Sequence, residues 1–362
     1  MKLIKIIECL EKWAPPILQE EYDNSGLIIG NKNNEIKGVL VTLDCTEEIL
    51  DEAINKKCNL VVSHHPIIFN NLKRLNGSNY VEKCIIKAIK NEISIYSIHT
   101  NLDNVITGVN KKLADKIELK NIRILNKKEN VLSKIEFYTP KRYKEKILKK
   151  LFQLGAGKIG NYNSCSFQVL GKGTYLPEKN SKPLIGSLNK PENINEVKVE
   201  LIYQNNIEDK LIQTLKDSHP YDQVAFFISK INNKSENIGS GIIGNLKTDI
   251  NVLLKNLKTT FNLKVIKHSK IINKKINKIA VCGGSGSFLI QNAIKSGADA
   301  FITSDVKYHD FFQSENKIII IDIGHYESEQ FTKELIYEYL NKKLINIAIH
   351  LSKMNSNPIT YY

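Results

Sequence analysis

Three clusters of histidine and carboxylate residues carry the chemistry that this sequence suggests. His64 and His65 end one apolar run, and Asp103 follows the next such run. His325 stands four residues before Glu329, so both can lie on one face of a helix. The six cysteines are scattered, without a Cys-x-x-Cys pair. The sequence therefore predicts a metal site whose ligands are imidazole nitrogens and carboxylate oxygens.

Five side-chain ligands are too many for one catalytic zinc ion, which takes three and keeps one position open. They suit two ions roughly 3.5–4 Å apart with a bridging carboxylate. We expect Glu329 to bridge. His65 and Asp103 would then hold one ion, and His64 and His325 the other, although the folded geometry could permute these roles. The donor set admits Zn, Mn, Fe, Co or Ni.

Each cluster taken alone also has a structural explanation. The two adjacent histidines could be a polar strand end, and Asp103 could belong to a turn or a helix cap. Glu329 could simply favour the positive end of a helix dipole. Because all three clusters follow comparable strands of a repeated unit, a shared metal site explains them better together.

His99 and two loops are further candidates. His99 could ligate a metal, orient a metal ligand or shuttle a proton. We expect it to orient a ligand or to act as an acid or base, which makes it the candidate catalytic residue. The loop over 22–27 has the composition of a turn, and lining the site is the alternative. The loop over 282–287, CGGSGS, could cradle an anion, although a tight turn between a strand and a helix explains it equally well.

Strands and helices that alternate along the chain must position these residues. Strands separated by single helices imply right-handed βαβ units and a parallel sheet, which binds ligands at the carboxyl ends of its strands. Residues 278–329 repeat the design of the first half. The predicted elements of the first half are a strand over 39–44, a helix over 46–57 capped by Thr46, a strand ending in His65, a helix around 79–91 and a strand ending at His99.

The middle of the chain has a different character. The order there is roughly β-α-β-β-α-β, with an irregular glycine-rich stretch to about residue 190, and it resembles a ferredoxin-like module. The predicted fold class is therefore α/β, with two related βαβ-type halves and an inserted α+β domain. The predicted domains are a first half of the metal-binding core (1–128), the insert (129–235) and a second half of the core (236–362).

Composition and charge limit the class of protein. The chain has 362 residues, of which 42% are hydrophobic and 25% charged, as in an ordinary globular protein. No apolar run approaches the roughly 20 residues of a membrane span, and the opening MKLIKIIECLEKWAPP lacks a signal-peptide core, so we expect a cytoplasmic protein without membrane contact. The net charge of +14 comes mostly from lysines spread along the chain. We therefore expect a small, phosphate-compatible substrate rather than nucleic acid.

Several motifs together resemble the GTP cyclohydrolase 1 type 2 homolog family, which consists of dinuclear-metal proteins related to a yeast interacting factor. These motifs are YDNSGLIIG, VTLDCT, VSHHPIIF, SIHTNLDN, AVCGGSG with DAFITSD, and GHYESE. The middle segment, with GKGTYLPE and HPYDQVAF, resembles the PII-like insertion of the family's longer members. Two positions depart from the family: Tyr22 stands where Trp is frequent, and Ser304-Asp305 where Gly-Glu is frequent.

The resemblance implies a set of metal ligands, an assembly and an activity. The ligands are the five already reached from the residues: His64, His65, Asp103, His325 and Glu329. The assembly is a toroidal homohexamer. The activity is metal-dependent hydrolysis, and if GTP is the substrate, water opens its imidazole ring and releases formate, with His99 as proton donor.

Two other functions stay open. One is a non-enzymatic metal-binding scaffold or regulator whose insert senses a ligand. The weaker one is a nucleic-acid-binding ring or nuclease that uses the positive charge.

Overall fold

The first third of the chain consists of short strands and helices. The structure, a computed structural model, describes all 362 residues. The elements are α1 (Leu3–Trp13), a 3₁₀ turn (Pro16–Leu18), β1 (Gly26–Ile29), β2 (Gly38–Thr42), α2 (Glu47–Asn55), β3 (Leu60–Ser63), α3 (Tyr80–Lys90), β4 (Ser94–Ser97), α4 (Thr100–Asp103), α5 (Val109–Lys116) and β5 (Lys120–Lys127). Thr46 caps α2 as predicted, because its hydroxyl accepts a hydrogen bond from the backbone amide of Ile49.

The middle segment follows the order that the sequence indicated. Its elements are β6 (Leu132–Pro140), α6 (Lys144–Gln153), β7 (Phe167–Tyr175), β8 (Glu192–Gln204), a 3₁₀ turn (Asn205–Ile207), α7 (Glu208–Ser218) and β9 (Phe226–Ile231). The stretch expected to be irregular contains a nine-residue strand, β7. Glycines within this strand lower its strand propensity, but hydrogen-bonded pairing with β8 along its whole length stabilises the strand.

The last third returns to alternating strands and helices. Its elements are β10 (Gly239–Asp249), α8 (Ile250–Thr260), β11 (Lys267–His268), β12 (Lys275–Ser285), a 3₁₀ turn (Ser287–Leu289), α9 (Ile290–Lys295), β13 (Ala300–Ser304), a 3₁₀ turn (Tyr308–Ser314), β14 (Ile319–Asp322), α10 (His325–Glu329), α11 (Thr332–Lys343) and β15 (Ala348–Leu351). None of the helices of the protein is long and apolar enough to cross a membrane.

Two compact units divide the chain. The core unit contains residues 1–127 and 237–362, and the insert unit contains residues 128–236. The domain roles assigned from the sequence stay predictions.

Two mixed sheets form the core unit, with four adjacent parallel strands in the first and three in the second. The first sheet has the order β1-β4-β3-β2-β15, in which only β1 is antiparallel to its neighbour. The second has the order β11-β14-β13-β12-β10-β5, in which β12, β13 and β14 are parallel. Every residue of β3, β4, β13 and β14 is buried, as expected for parallel strands covered on both faces. The α/β class is confirmed.

The insert unit is one antiparallel sheet with two helices. Its strand order is β7-β8-β6-β9, which is the order of a ferredoxin-like βαββαβ arrangement. One sheet face buries Phe137, Val199 and Leu201 with apolar residues of α6 and α7. The opposite face carries charged residues of β6 and β8. The PII-like identity of this unit stays a prediction, because the strand order is common to many ferredoxin-like folds.

Candidate metal centre

The carboxyl ends of β3, β4 and β14 bring the candidate residues to one place in the core unit. His64 and His65 follow β3 directly, and α10 begins three residues after β14 ends. Asp103 is the last residue of α4, the short helix that follows β4. Groups of three ligand atoms, all within 4.8 Å of one another, form here from six residues: His64, His65, His99, Asp103, His325 and Glu329.

The first group consists of His64, Asp103 and Glu329. The Nε2 atom of His64 lies 3.8 Å from Oδ1 of Asp103 and 3.8 Å from Oε1 of Glu329. Its Nδ1 atom donates to the carbonyl of Ile98 at 2.8 Å, which leaves the lone pair on Nε2. Ligand atoms on one ion lie about 3–4 Å apart when metal–ligand bonds are about 2.0–2.2 Å. This spacing fits a cation in the middle of the group.

Two atoms of this group are buried without any hydrogen-bond partner: Nε2 of His64 and Oδ1 of Asp103. An unsatisfied buried polar atom costs about 1–3 kcal/mol, so such atoms are rare without a reason. A divalent cation would satisfy both at once. The donor chemistry and the orphaned atoms therefore fit a metal ion.

The second group consists of His65, His325 and Glu329. Oε2 of Glu329 lies 2.9 Å from Nε2 of His65 and 3.1 Å from Nε2 of His325. The two imidazole Nε2 atoms are 3.4 Å apart. Glu329 thus offers one carboxylate oxygen to each group, in the position expected of a bridge. The other four ligands are grouped differently from the expectation, since His64 lies with Asp103 and His65 with His325.

Carboxylates accept hydrogen bonds from the Nδ1 atoms of three imidazole rings. Nδ1 of His65 donates to Asp44 at 2.7 Å, and Nδ1 of His325 donates to Asp305 at 2.6 Å. Such contacts fix the tautomer and aim Nε2 at the centre. Sequence analysis missed Asp44 as a functional residue and noted Asp305 only as a departure from the family. The available signal was that each aspartate closely follows a strand paired with the strand that precedes its histidine.

His99 is held in the same way by Asp23. Its Nδ1 atom donates to Oδ1 of Asp23 at 2.7 Å, while Oδ2 of Asp23 accepts from the backbone amide of Thr100 at 3.0 Å. Although burial opposes it, these hydrogen bonds keep the pKa of Asp23 well below its usual range. The His99 ring lies 5.2 Å from that of His64 and 5.3 Å from that of His65, measured between centroids. The loop over 22–27 therefore supports the site through Asp23.

Electrostatics indicate that this cluster favours positive charge. Burial, and then the neighbouring carboxylate of Glu329, raise the pKa of Asp103. Burial opposes the charged form of His65, but Asp44 and Glu329 outweigh it and raise the pKa of His65 to about 10. The same balance, with Glu329 and Asp305 as partners, raises the pKa of His325 to about 11. Protons therefore compete with metal ions for these ligands.

The glycines at the end of β12 make room for Glu329 rather than offering amides to an anion. The amide of Gly283 donates to Asn110 at 2.9 Å and that of Gly284 to Ser328 at 3.0 Å. Gly284 has a φ of +62°, and a Cβ atom there would lie 2.4 Å from Oε1 of Glu329. Gly283 and Gly284 belong to the strand, and Gly286 alone connects β12 to the following 3₁₀ turn, so the chain does turn tightly here.

A cavity of about 390 Å³ gives access to the centre. Its walls include His65, His99, His325 and Glu329. Three exposed aromatic residues also line it: Tyr22, Phe69 and Phe288. This volume is within the usual range for small-molecule sites.

Known proteins resemble the whole chain. The sequence model of Duf34/NIF3 (NGG1p interacting factor 3) matches residues 1–358. A Staphylococcus epidermidis protein named GTP cyclohydrolase 1 type 2 homolog is 35% identical over 367 residues, and a Staphylococcus aureus protein of that name is 34% identical over 368 residues; both matches cover 100% of each chain. The crystal structure of a Bacillus cereus protein related to NIF3 has a TM-score of 0.87 at 33% identity, covering 100% of this chain and 99% of that one.

Proposed function

The chain belongs to the Duf34/NIF3 family, as its motifs predicted, and we propose that it is a hydrolase that uses two divalent metal ions. The observation that carries this proposal is the pair of buried, unpartnered atoms, Nε2 of His64 and Oδ1 of Asp103, beside a carboxylate shared with a second group. His64, Asp103 and Glu329 would hold one ion. His65, His325 and Glu329 would hold the other.

The chain's own residues prepare the site for hydrolysis. Two ions held by these residues would lower the pKa of a water molecule and would stabilise negative charge on the substrate. Asp44 and Asp305 keep His65 and His325 aimed at the centre, so little reorganisation is needed when the site fills. His99, oriented through Nδ1 by Asp23, exchanges a proton at Nε2 with the substrate.

The names of the relatives support GTP as the substrate to test first. Tyr22, Phe69 and Phe288 could stack against a planar base, and the net charge of +14 favours an anionic substrate. We also propose a homohexamer, as the resemblance implies, and a cytoplasmic location. A light-scattering mass of six chains would support the hexamer, and a mass of one or two chains would contradict it.

Metal content and turnover test the proposal together. Protein purified without chelators should contain two ions per chain and should turn over GTP, a phosphodiester or a cyclic nucleotide. His65→Ala and Glu329→Ala should lose both metal and turnover. His309→Ala, which removes an exposed imidazole outside the centre, is the matched control. Two bound ions without turnover of any substrate would favour the scaffold, and salt-sensitive DNA binding untouched by these variants would favour the nucleic-acid ring.

A further inference from the structure

The insert unit contains a cavity larger than that of the metal centre. Its volume is about 700 Å³, and it lies on the sheet face that α6 and α7 leave open. Its apolar walls come from Phe167 and Val169 of β7, Ile194 of β8, and Leu176 and Leu184 of the segment that follows β7. A cavity with such walls suits the apolar body of a small molecule.

One carboxylate in this cavity is buried. Glu196 of β8 is only 9% exposed, and its Oε1 atom accepts a hydrogen bond from the hydroxyl of Tyr221 at 2.8 Å. Its Oε2 atom lies against β7 at Gly173, where a Cβ atom would be only 2.2 Å away. The glycine therefore makes room for this carboxylate. A buried carboxylate normally has a cation as its partner.

Glu196 has no such partner, whereas Glu136 and Glu200 of the same sheet face do. The Nζ atom of Lys198 lies 2.7 Å from a carboxylate oxygen of Glu200 and 3.0 Å from one of Glu136. The Nζ atom of Lys134 lies 3.3 Å from a carboxylate oxygen of Glu200. No lysine, arginine or histidine lies within 4 Å of the carboxylate of Glu196. The cavity thus presents one buried negative charge whose compensation has to come from outside the unit's own side chains.

The surrounding loop fixes the geometry of this charge. The Nδ1 atom of His219 accepts a hydrogen bond from the backbone amide of Tyr221 at 3.2 Å. Its Nε2 atom donates a hydrogen bond to the carbonyl of Tyr138 at 2.9 Å. On the other side, the hydroxyl of Tyr175 donates to the carbonyl of Ile185 at 2.6 Å and ties the covering segment to β7. Both tyrosine hydroxyls are therefore used in holding the walls.

We propose that this cavity binds a small organic cation, an ammonium group attached to an aromatic or aliphatic body, with Glu196 as its counter-ion. The apolar walls receive the body, and the buried carboxylate selects the charge, because a charge-assisted hydrogen bond is strong where water is excluded. An anionic ligand would meet the carboxylate as a like charge, and a neutral ligand would leave it uncompensated. The proposal uses residues of the insert unit alone and does not depend on hydrolysis at the metal centre.

A series of probes with one ring and three charges tests this proposal on the full chain. Calorimetric titration would compare tryptamine, neutral 3-ethylindole and anionic indole-3-propionate. Tryptamine should bind most tightly. Glu196→Gln should weaken tryptamine binding by about tenfold or more and should leave 3-ethylindole nearly unaffected.

The matched control is Glu200→Gln, which removes the same charge from the same sheet face but from a carboxylate already paired with lysines. It should change tryptamine binding little, and unaltered metal content and circular dichroism would show that both variants fold. Equal binding of the neutral and cationic probes, or unchanged tryptamine binding by Glu196→Gln, would overturn the proposal. Absence of binding by every probe, with a changed molecular mass for Glu196→Gln, would also overturn it and identify a second copy of the chain as the occupant.

Discussion

The candidate metal ligands could be singled out in the sequence because their residue types are unusual where they occur. Adjacent histidines at the end of an apolar strand are poor core residues, since each neutral imidazole needs a partner when buried. Asp44 and Asp305 could not be singled out in the same way. An aspartate after a strand is commonly part of a turn, and only the folded structure brings each one to Nδ1 of a histidine.

Asp44 tests whether the carboxylates behind the histidines tune metal binding. Asp44→Asn keeps the shape of the side chain but weakens its hold on His65. We expect affinity for the ion held by His65 and His325 to fall by about 10–100-fold, measured by competition with a chelator. Asp51→Asn is the control, because Asp51 is an exposed aspartate that pairs with Lys87. Equal affinities of the two variants would show that Asp44 does not support the site.

His99 separates proton transfer from metal binding. If it exchanges protons with the substrate, His99→Ala should keep both ions while turnover falls by about 10²–10⁴-fold. Metal analysis and steady-state kinetics on the same preparation measure the two effects. Loss of an ion in this variant would instead make His99 a ligand, consistent with its distance from His64 and His65.

The elements of the core unit could be predicted well because their periodicity is strong. The strands around the site are continuous apolar runs, and Thr46 signals the start of α2. The bounds of β7 could not be predicted, since Gly171 and Gly173 lower its strand propensity and its pairing with β8 is a tertiary contact. The partition of ligands between the two ions depends on side-chain directions that spacing does not contain.

The carboxyl end of β12 provides a test at the scale of an element. Gly284→Ala forces an L side chain into a left-handed conformation, which alone costs roughly 1–2 kcal/mol, and its Cβ atom would meet Glu329. We expect a lower free energy of unfolding together with weaker metal binding. Gly171→Ala is the control, because nothing lies within 4 Å of a Cβ atom there and its φ is not positive. If Gly284→Ala binds metal as well as the wild type, the end of β12 does not determine the position of Glu329.

The loop after α7 should make the insert unit sensitive to acid. Burial lowers the pKa of His219, so the folded state holds it neutral while the unfolded state titrates near about 6.5. The unfolded state therefore binds a proton more readily than the folded state does. As a result, the free energy of unfolding decreases as the pH falls below that value. Thermal unfolding between pH 7.5 and pH 5 should show a larger loss for the wild type than for His219→Gln. Parallel losses in the two proteins would exclude this role for His219.

At the scale of the whole molecule, the family could be recognised because its motifs stand in order along the chain. The match over residues 1–358 and the 33% identical Bacillus cereus structure agree with that recognition. Spacing between motifs could not define the two sheets, because β1 and β15 join the first sheet from distant parts of the sequence. Assembly depends on surfaces whose residues carry no comparable motif. The prediction of a hexamer therefore rests on the resemblance alone.

Anomalous scattering from crystals of protein purified without chelators tests the central claim most directly. We predict two peaks in the core unit, one bounded by His64, Asp103 and Glu329 and the other by His65, His325 and Glu329. The carboxylate of Glu329 should contact both. A single peak, or two peaks that do not share Glu329, would contradict the account.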